Sequence, residues 1–244
     1  MNGLYAKSPI IGIIGGMPPA GTIDMIQKII IAASGTGLPK PPHLLVDCDS
    51  AVPSRVLGAN GSGPSPLPYL TAMAERLLNG GAELLVMACN AAHFYYADVK
   101  QAVGSIPLLN IPAEVLRSLE KQKITGPVAV IGAAPLVEEL YAAYLTDLTV
   151  PVVFLPANQR QALNQALEAF AQGVLDEIHQ EEFGNILRHF GGTSACTHLV
   201  SACTELTMIL QKIDYLPFTL IDPVQIAAEQ ICKYCWEWAE NQGS

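Results

Sequence analysis

Leu85-Val86-Met87-Ala88-Cys89 returns 114 residues later as Leu199-Val200-Ser201-Ala202-Cys203. Each stretch is a short apolar run, of the kind that forms a strand buried on both faces of a parallel sheet, and each ends in a cysteine. Working outward, Ile13-Ile14-Gly15 has a counterpart in Val130-Ile131-Gly132 at an offset of 117, and Leu44-Leu45-Val46 has one in Val152-Val153-Phe154 at 108. One matched pair carries little weight. Three pairs in the same order at nearly constant offset read as one unit present twice.

The rest of the chain fits that reading. Apolar runs expected to be strands, at 10–14, 44–46, 84–88, 128–131, 152–155 and 198–202, alternate with helix-length segments at 23–33, 67–79, 92–103, 113–121, 136–145, 159–172, 181–190 and 224–240. Such alternation predicts an α/β fold made of parallel sheets with helical crossovers. Two similar domains are expected, the first from 1–112 plus 219–244 and the second from 113–218, related by a pseudo-two-fold axis. Ligands of parallel α/β sheets bind beyond the carboxyl ends of the strands. Cys89 and Cys203 both stand there, so the doubled architecture predicts two thiols on opposite walls of an interdomain cleft. The Gly- and Pro-bearing stretch at 58–68 is expected to be a connecting loop rather than a lid.

Composition narrows the classes of function. Half of the 244 residues are hydrophobic and 14% are charged, enough apolar material for a substantial core. No uninterrupted apolar stretch reaches the length of a membrane span, and the start lacks the pattern of an export signal. The net charge of −9, without any basic run, argues against nucleic acid as a partner. Six cysteines in a core-rich chain without an export signal read as reduced thiols of a cytoplasmic protein. Cys48, Cys196, Cys232 and Cys235 are expected to be small buried hydrophobes. Cys232-Lys233-Tyr234-Cys235 has no second ligand pair at zinc-site spacing, and the histidines form no ligand pattern, so no metal is expected.

Two matched thiols suit one kind of chemistry. Inverting a stereocentre by proton transfer requires a base on one face of the carbon and an acid on the other, with roles exchanged for the reverse reaction. A thiol, with an ordinary pKa of about 8.5, serves as either near neutral pH. Asn90 and Thr204, each following a cysteine, are N-cap candidates for the helices behind them, where the positive helix end favours thiolate and a bound carboxylate.

These motifs resemble the aspartate/glutamate racemase superfamily, and within it the aspartate racemase branch. The resemblance rests on Ile11-Gly12-Ile13-Ile14-Gly15-Gly16-Met17, Ala88-Cys89-Asn90-Ala91-Ala92-His93 and Ala202-Cys203-Thr204-Glu205-Leu206, with Ser65-Pro66-Leu67-Pro68 and Ile221-Asp222-Pro223 in support. It implies a homodimeric amino-acid racemase without pyridoxal phosphate or metal, acting on a small-molecule amino acid with no membrane or nucleic-acid partner. Its C-terminal helix would return to the first domain. It implies Cys89 and Cys203 as the acid–base pair, Asn90 and Thr204 as carboxylate holders, and Arg55 as a substrate-side cation, with Met17 in the opening loop beside the substrate. His93 and Glu205 join the candidates, His93 to orient a thiolate or substrate group and Glu205 to receive the substrate ammonium. A buried, satisfied histidine and a helix-start carboxylate are the equally weighted alternatives. Thr22 is expected to cap or pack the first helix.

Four positions depart from the family pattern: Pro18, Ala91, Leu175 and Ala202. Pro18 cannot donate an N–H, Ala91 replaces a threonine and Leu175 a lysine, so a weaker preference for acidic substrates is expected. A one-thiol isomerase or decarboxylase on a small acid, or a catalytically decayed amino-acid binder, is the alternative.

Overall fold

The computed structural model describes residues 8–35, 38, 40–171, 173 and 177–242. They form two compact units, one running to Ile111 and resuming at Val224, the other spanning Pro112–Pro223.

The first unit is built from β1 (Ile10–Gly15), α1 (Pro19–Gly35), β2 (His43–Cys48), α2 (Arg55–Ala59), α3 (Leu67–Asn79), β3 (Leu84–Met87), a 3₁₀ turn (Asn90–Tyr95), α4 (Tyr96–Val103) and β4 (Leu108–Leu109), after which α5 (Ile111–Lys121) leads away. The second continues with β5 (Val128–Ile131), α6 (Pro135–Tyr144), β6 (Val152–Phe154), a 3₁₀ turn (Ala157–Gln159), α7 (Arg160–Ala171), α8 (Glu177–Ser194), β7 (His198–Ser201), α9 (Thr204–Leu210) and β8 (Thr219–Ile221). Then α10 (Pro223–Gln242) belongs to the first unit again.

Both sheets are parallel and share one strand order, β2-β1-β3-β4 and β6-β5-β7-β8. The register repeats as well. Ile13 pairs with Val46 and Val86, and Val130 pairs with Phe154 and Val200, which reproduces the three sequence offsets residue for residue. A fourth match was not legible in the sequence: Val86 pairs with Leu109 as Val200 pairs with Ile221.

Central strands are buried, apart from the half-buried first residues Ile10 of β1 and His198 of β7, because helices cover both faces. In the first sheet Ile11, Ile13, Leu84 and Val86 face Met25 and Ile29 of α1 and Ala227, Ala228 and Ile231 of α10. Ile14, Leu85 and Met87 face Leu70, Met73 and Leu77 of α3. On α10, Val224, Ala227, Ala228, Ile231 and Cys235 recur at helical spacing and make its buried stripe. In the second unit Ala129, Ile131 and Leu199 pack with Leu163, Phe183, Leu187 and Leu206.

Three expectations need correction. The second unit extends to Pro223 rather than 218, because β8 completes its sheet by pairing with β7. The segment expected as one helix at 92–103 is a 3₁₀ turn followed by α4, since the Ala92 N–H bonds the Cys89 carbonyl three residues back. Cys48 is exposed, at the end of an edge strand, whereas Cys196, Cys232 and Cys235 are buried as expected. Burial pushes the Cys232 and Cys235 thiols up to about 11 and about 12. No helix of the described residues is long and apolar enough to cross a membrane.

Candidate active site

Cys89 and Cys203 are buried free thiols, each just beyond the carboxyl end of a central strand, β3 and β7. Each is itself the N-cap of the segment that follows, with extended backbone at φ −154°, ψ 121° and φ −149°, ψ 131°. Asn90 and Thr204, expected as caps, are instead the first residues inside those segments, and neither cysteine side chain makes a capping bond. A sequence offset of 114 thus brings the same backbone conformation to the same place in both units.

Around Cys89, Met17, Val52, Ala92 and Tyr95 form one apolar cluster. The loop after β1 turns at Gly16, whose φ is +88° and where any Cβ would run into the Asp49 backbone, so no side chain fits. The Gly16 N–H donates to the Thr22 hydroxyl at 2.9 Å, so Thr22, buried within α1, ties the loop to the helix rather than capping it, and the Met17–Pro18 peptide is cis. Arg55, the first residue of α2, crosses to this loop and donates from its guanidinium to the Met17 carbonyl at 3.0 Å and to the Pro53 carbonyl at 3.3 Å. The Tyr95 hydroxyl donates to the Arg55 carbonyl at 3.2 Å. Among the described residues no carboxylate pairs with Arg55, and its buried Nε has no hydrogen-bond partner. Arg55, Met17 and the cluster holding Cys89 are therefore brought together.

His93 has the satisfied role. Its Nε2 accepts the Ile111 N–H at 3.2 Å, which leaves the proton on Nδ1, 3.1 Å from the Cys89 carbonyl that accepts it. Burial lowers its pKa to about 4, so the ring is neutral at physiological pH. With both nitrogens engaged by backbone, His93 is the buried, satisfied histidine of the two readings rather than a group free to contact substrate.

Around Cys203 the chemistry differs. Glu205 Oε2 accepts from the Cys203 thiol at 3.2 Å and from the Thr204 hydroxyl at 2.8 Å. Burial first, and then the Glu205 charge, push the Cys203 thiol well above its ordinary value, so it rests protonated. The residue at the equivalent place in the first unit is Ala91, which brings no carboxylate. The loop after β5 is tied by Glu138, which accepts the Gly132 N–H at 3.2 Å and pairs with both guanidinium ends of Arg160 at 3.1 Å and 2.5 Å. Arg160 follows the second strand of its sheet as Arg55 does, but its charge is neutralised. Sequence reasoning missed Arg160 and Glu138, and the matching position of the two arginines was the signal available. Leu175 lies outside the described residues.

The family model described as Asp/Glu/hydantoin racemase matches residues 14–231. The chain belongs to the Asp/Glu/hydantoin racemase family. A curated relative, the broad specificity amino-acid racemase of Bacillus subtilis (strain 168), is 22% identical over 220 residues, covering 84% of this chain and 88% of that protein. Among solved structures, the aspartate racemase of Picrophilus torridus superposes with a TM-score of 0.78 at 21% identity, covering 93% of this chain and 94% of its own. An aspartate racemase homologue from Pyrococcus horikoshii OT3 gives 0.75 at 21%, covering 93% and 98%. These likenesses show the fold. Family membership makes the protein an isomerase of the amino-acid racemase class.

Proposed function

We propose that the protein racemises free amino acids by proton transfer between two cysteines, without a cofactor. The observation that carries this reading is the equivalence of Cys89 and Cys203: buried free thiols, in one backbone conformation, at one position of two matched units. One cysteine as thiolate takes the Cα proton of one enantiomer, leaving a carbanion delocalised into the carboxylate. The other, as thiol, returns a proton to the opposite face, and the roles exchange for the reverse reaction. Glu205 beside Cys203 favours that residue as the resting proton donor.

The uncompensated charge of Arg55 supports recognition of the substrate carboxylate near Met17, with Asn90 and Thr204 on the two cysteine-bearing turns as further carboxylate contacts. Because Glu138 neutralises Arg160, the second unit offers no matching cation there, and Ala91 offers no hydroxyl. Both features favour a substrate with one carboxylate over aspartate. We take the enzyme to be cytoplasmic and homodimeric, as the resemblance implies.

The test is deuterium incorporation at Cα from heavy water across L- and D-amino acids, for the native enzyme and for Cys89→Ala and Cys203→Ala. Racemisation should fall by about a thousandfold or more in both variants. Survival in one variant would point to one-thiol chemistry, and a strong native preference for aspartate would refute the substrate assignment.

A further inference from the structure

The offset of 114 that separates Cys89 from Cys203 also separates His93 from Thr207, and both of these side chains are buried. In the first unit the His93 Nδ1–H donates to the Cys89 carbonyl at 3.1 Å. In the second, the Thr207 hydroxyl lies 2.8 Å from the Ser201 hydroxyl, and each of the two oxygens is 3.3 Å from the Cys203 carbonyl. Two hydroxyls so placed pass one proton to each other and one to the carbonyl. Each cysteine carbonyl also accepts a backbone N–H, from Ala92 at 3.2 Å or Thr207 at 3.1 Å. The side-chain donor is thus a second restraint at the same atom, supplied by different chemistry at the same repeat position.

A reason for the difference lies in the peptide that begins the next helix. By the register of β4 and β8, Ile111 and Pro223 are equivalent, and they start α5 and α10. Ile111 has an N–H that needs an acceptor, which the His93 Nε2 provides. Pro223 has none, so a donor without a second acceptor atom suffices, and Thr207 with Ser201 takes the place of the ring.

We propose that His93 in the first unit, and the Ser201–Thr207 hydroxyl pair in the second, are matched positioning residues, each fixing the carbonyl of a reactive cysteine and hence the direction in which its thiol projects. This rests on the two-thiol reading of the site. A carbonyl held twice fixes the peptide beside Cβ, so the thiol keeps only its side-chain rotation, and a base displaced by a fraction of an ångström from the Cα proton loses rate.

The experiment compares Ser201→Ala/Thr207→Val with Thr207→Ser, and His93→Leu with His93→Asn, whose amide still donates. Turnover is measured together with iodoacetamide labelling of each cysteine, resolved by peptide mass. The expected result is a fall in kcat of about tenfold with KM changed by less than about twofold in the donor-free variants, and recovery to within about threefold of native in Thr207→Ser and His93→Asn. Labelling should rise at Cys203 alone in the first pair and at Cys89 alone in the second. Native-like kcat in the donor-free variants, or labelling that rises at both cysteines together, would overturn the proposal. If the native enzyme turns over no amino acid, the functional reading fails, and the cysteine-specific labelling still decides this one.

Discussion

Burial, with no charged neighbour, holds the His93 ring neutral, and that has a consequence for stability. The group titrates near 6.5 in the unfolded chain and near 4 in the folded one. Between those values the unfolded chain binds a proton that the folded chain does not, so stability declines as pH falls through this window and is unaffected by His93 above it. The full contribution is about 3 kcal/mol. Urea unfolding at pH 7.5 and pH 4.5 should show a larger acid loss for the native protein than for His93→Asn, and equal losses would contradict the assignment. That His93 would be buried and satisfied was one of two readings open in the sequence. Choosing between them required the Ile111 N–H, 18 residues away and brought to Nε2 by the return of β4 to the sheet.

At the scale of the element, the loops at the carboxyl edges are tied by buried polar side chains, Thr22 in one unit and Glu138, paired with the half-buried Arg160, in the other. A buried ion pair is costly to break but can be replaced as a whole with little loss. Glu138→Gln leaves the half-buried Arg160 guanidinium without its partner and should cost up to about 3 kcal/mol, the low end for a buried pair, seen as a lower Tm. Glu138→Gln/Arg160→Met should regain most of it, because no buried charge is left and the glutamine oxygen still accepts the Gly132 N–H. A double variant no more stable than the single one would show that the brace depends on the charges themselves. This brace was illegible in the sequence, since Glu138 and Arg160 are 22 residues apart on different helices and neither sits in a motif. The short strands β4 and β8 were missed for a related reason: two or three residues carry no periodicity, and only their pairing with β3 and β7 makes them strands.

For the whole molecule, the exchange of the chain between units offers a direct test of their independence. Both tryptophans, Trp236 and Trp238, lie on α10 and so report the first unit, whereas Phe183 is a fully buried core residue of the second. Phe183→Ala should remove about 3–5 kcal/mol from the second unit. Far-UV circular dichroism should then begin to fall at lower denaturant while the tryptophan transition stays near its native midpoint; coincident shifts would mean that the units unfold as one. The sequence by itself determined the α/β class, the doubling and the two cysteines, because apolar strand runs and their offsets are local patterns that survive in one dimension. It also carried the family motifs. The tertiary structure alone decided that the caps are Cys89 and Cys203, that the second unit reaches Pro223, that Glu205 accepts from the Cys203 thiol, and that Arg55 keeps an uncompensated charge where Arg160 does not. Each of these depends on which polar groups meet once strands are paired and water is excluded, and a buried donor or charge takes its character from those partners rather than from its neighbours in the chain.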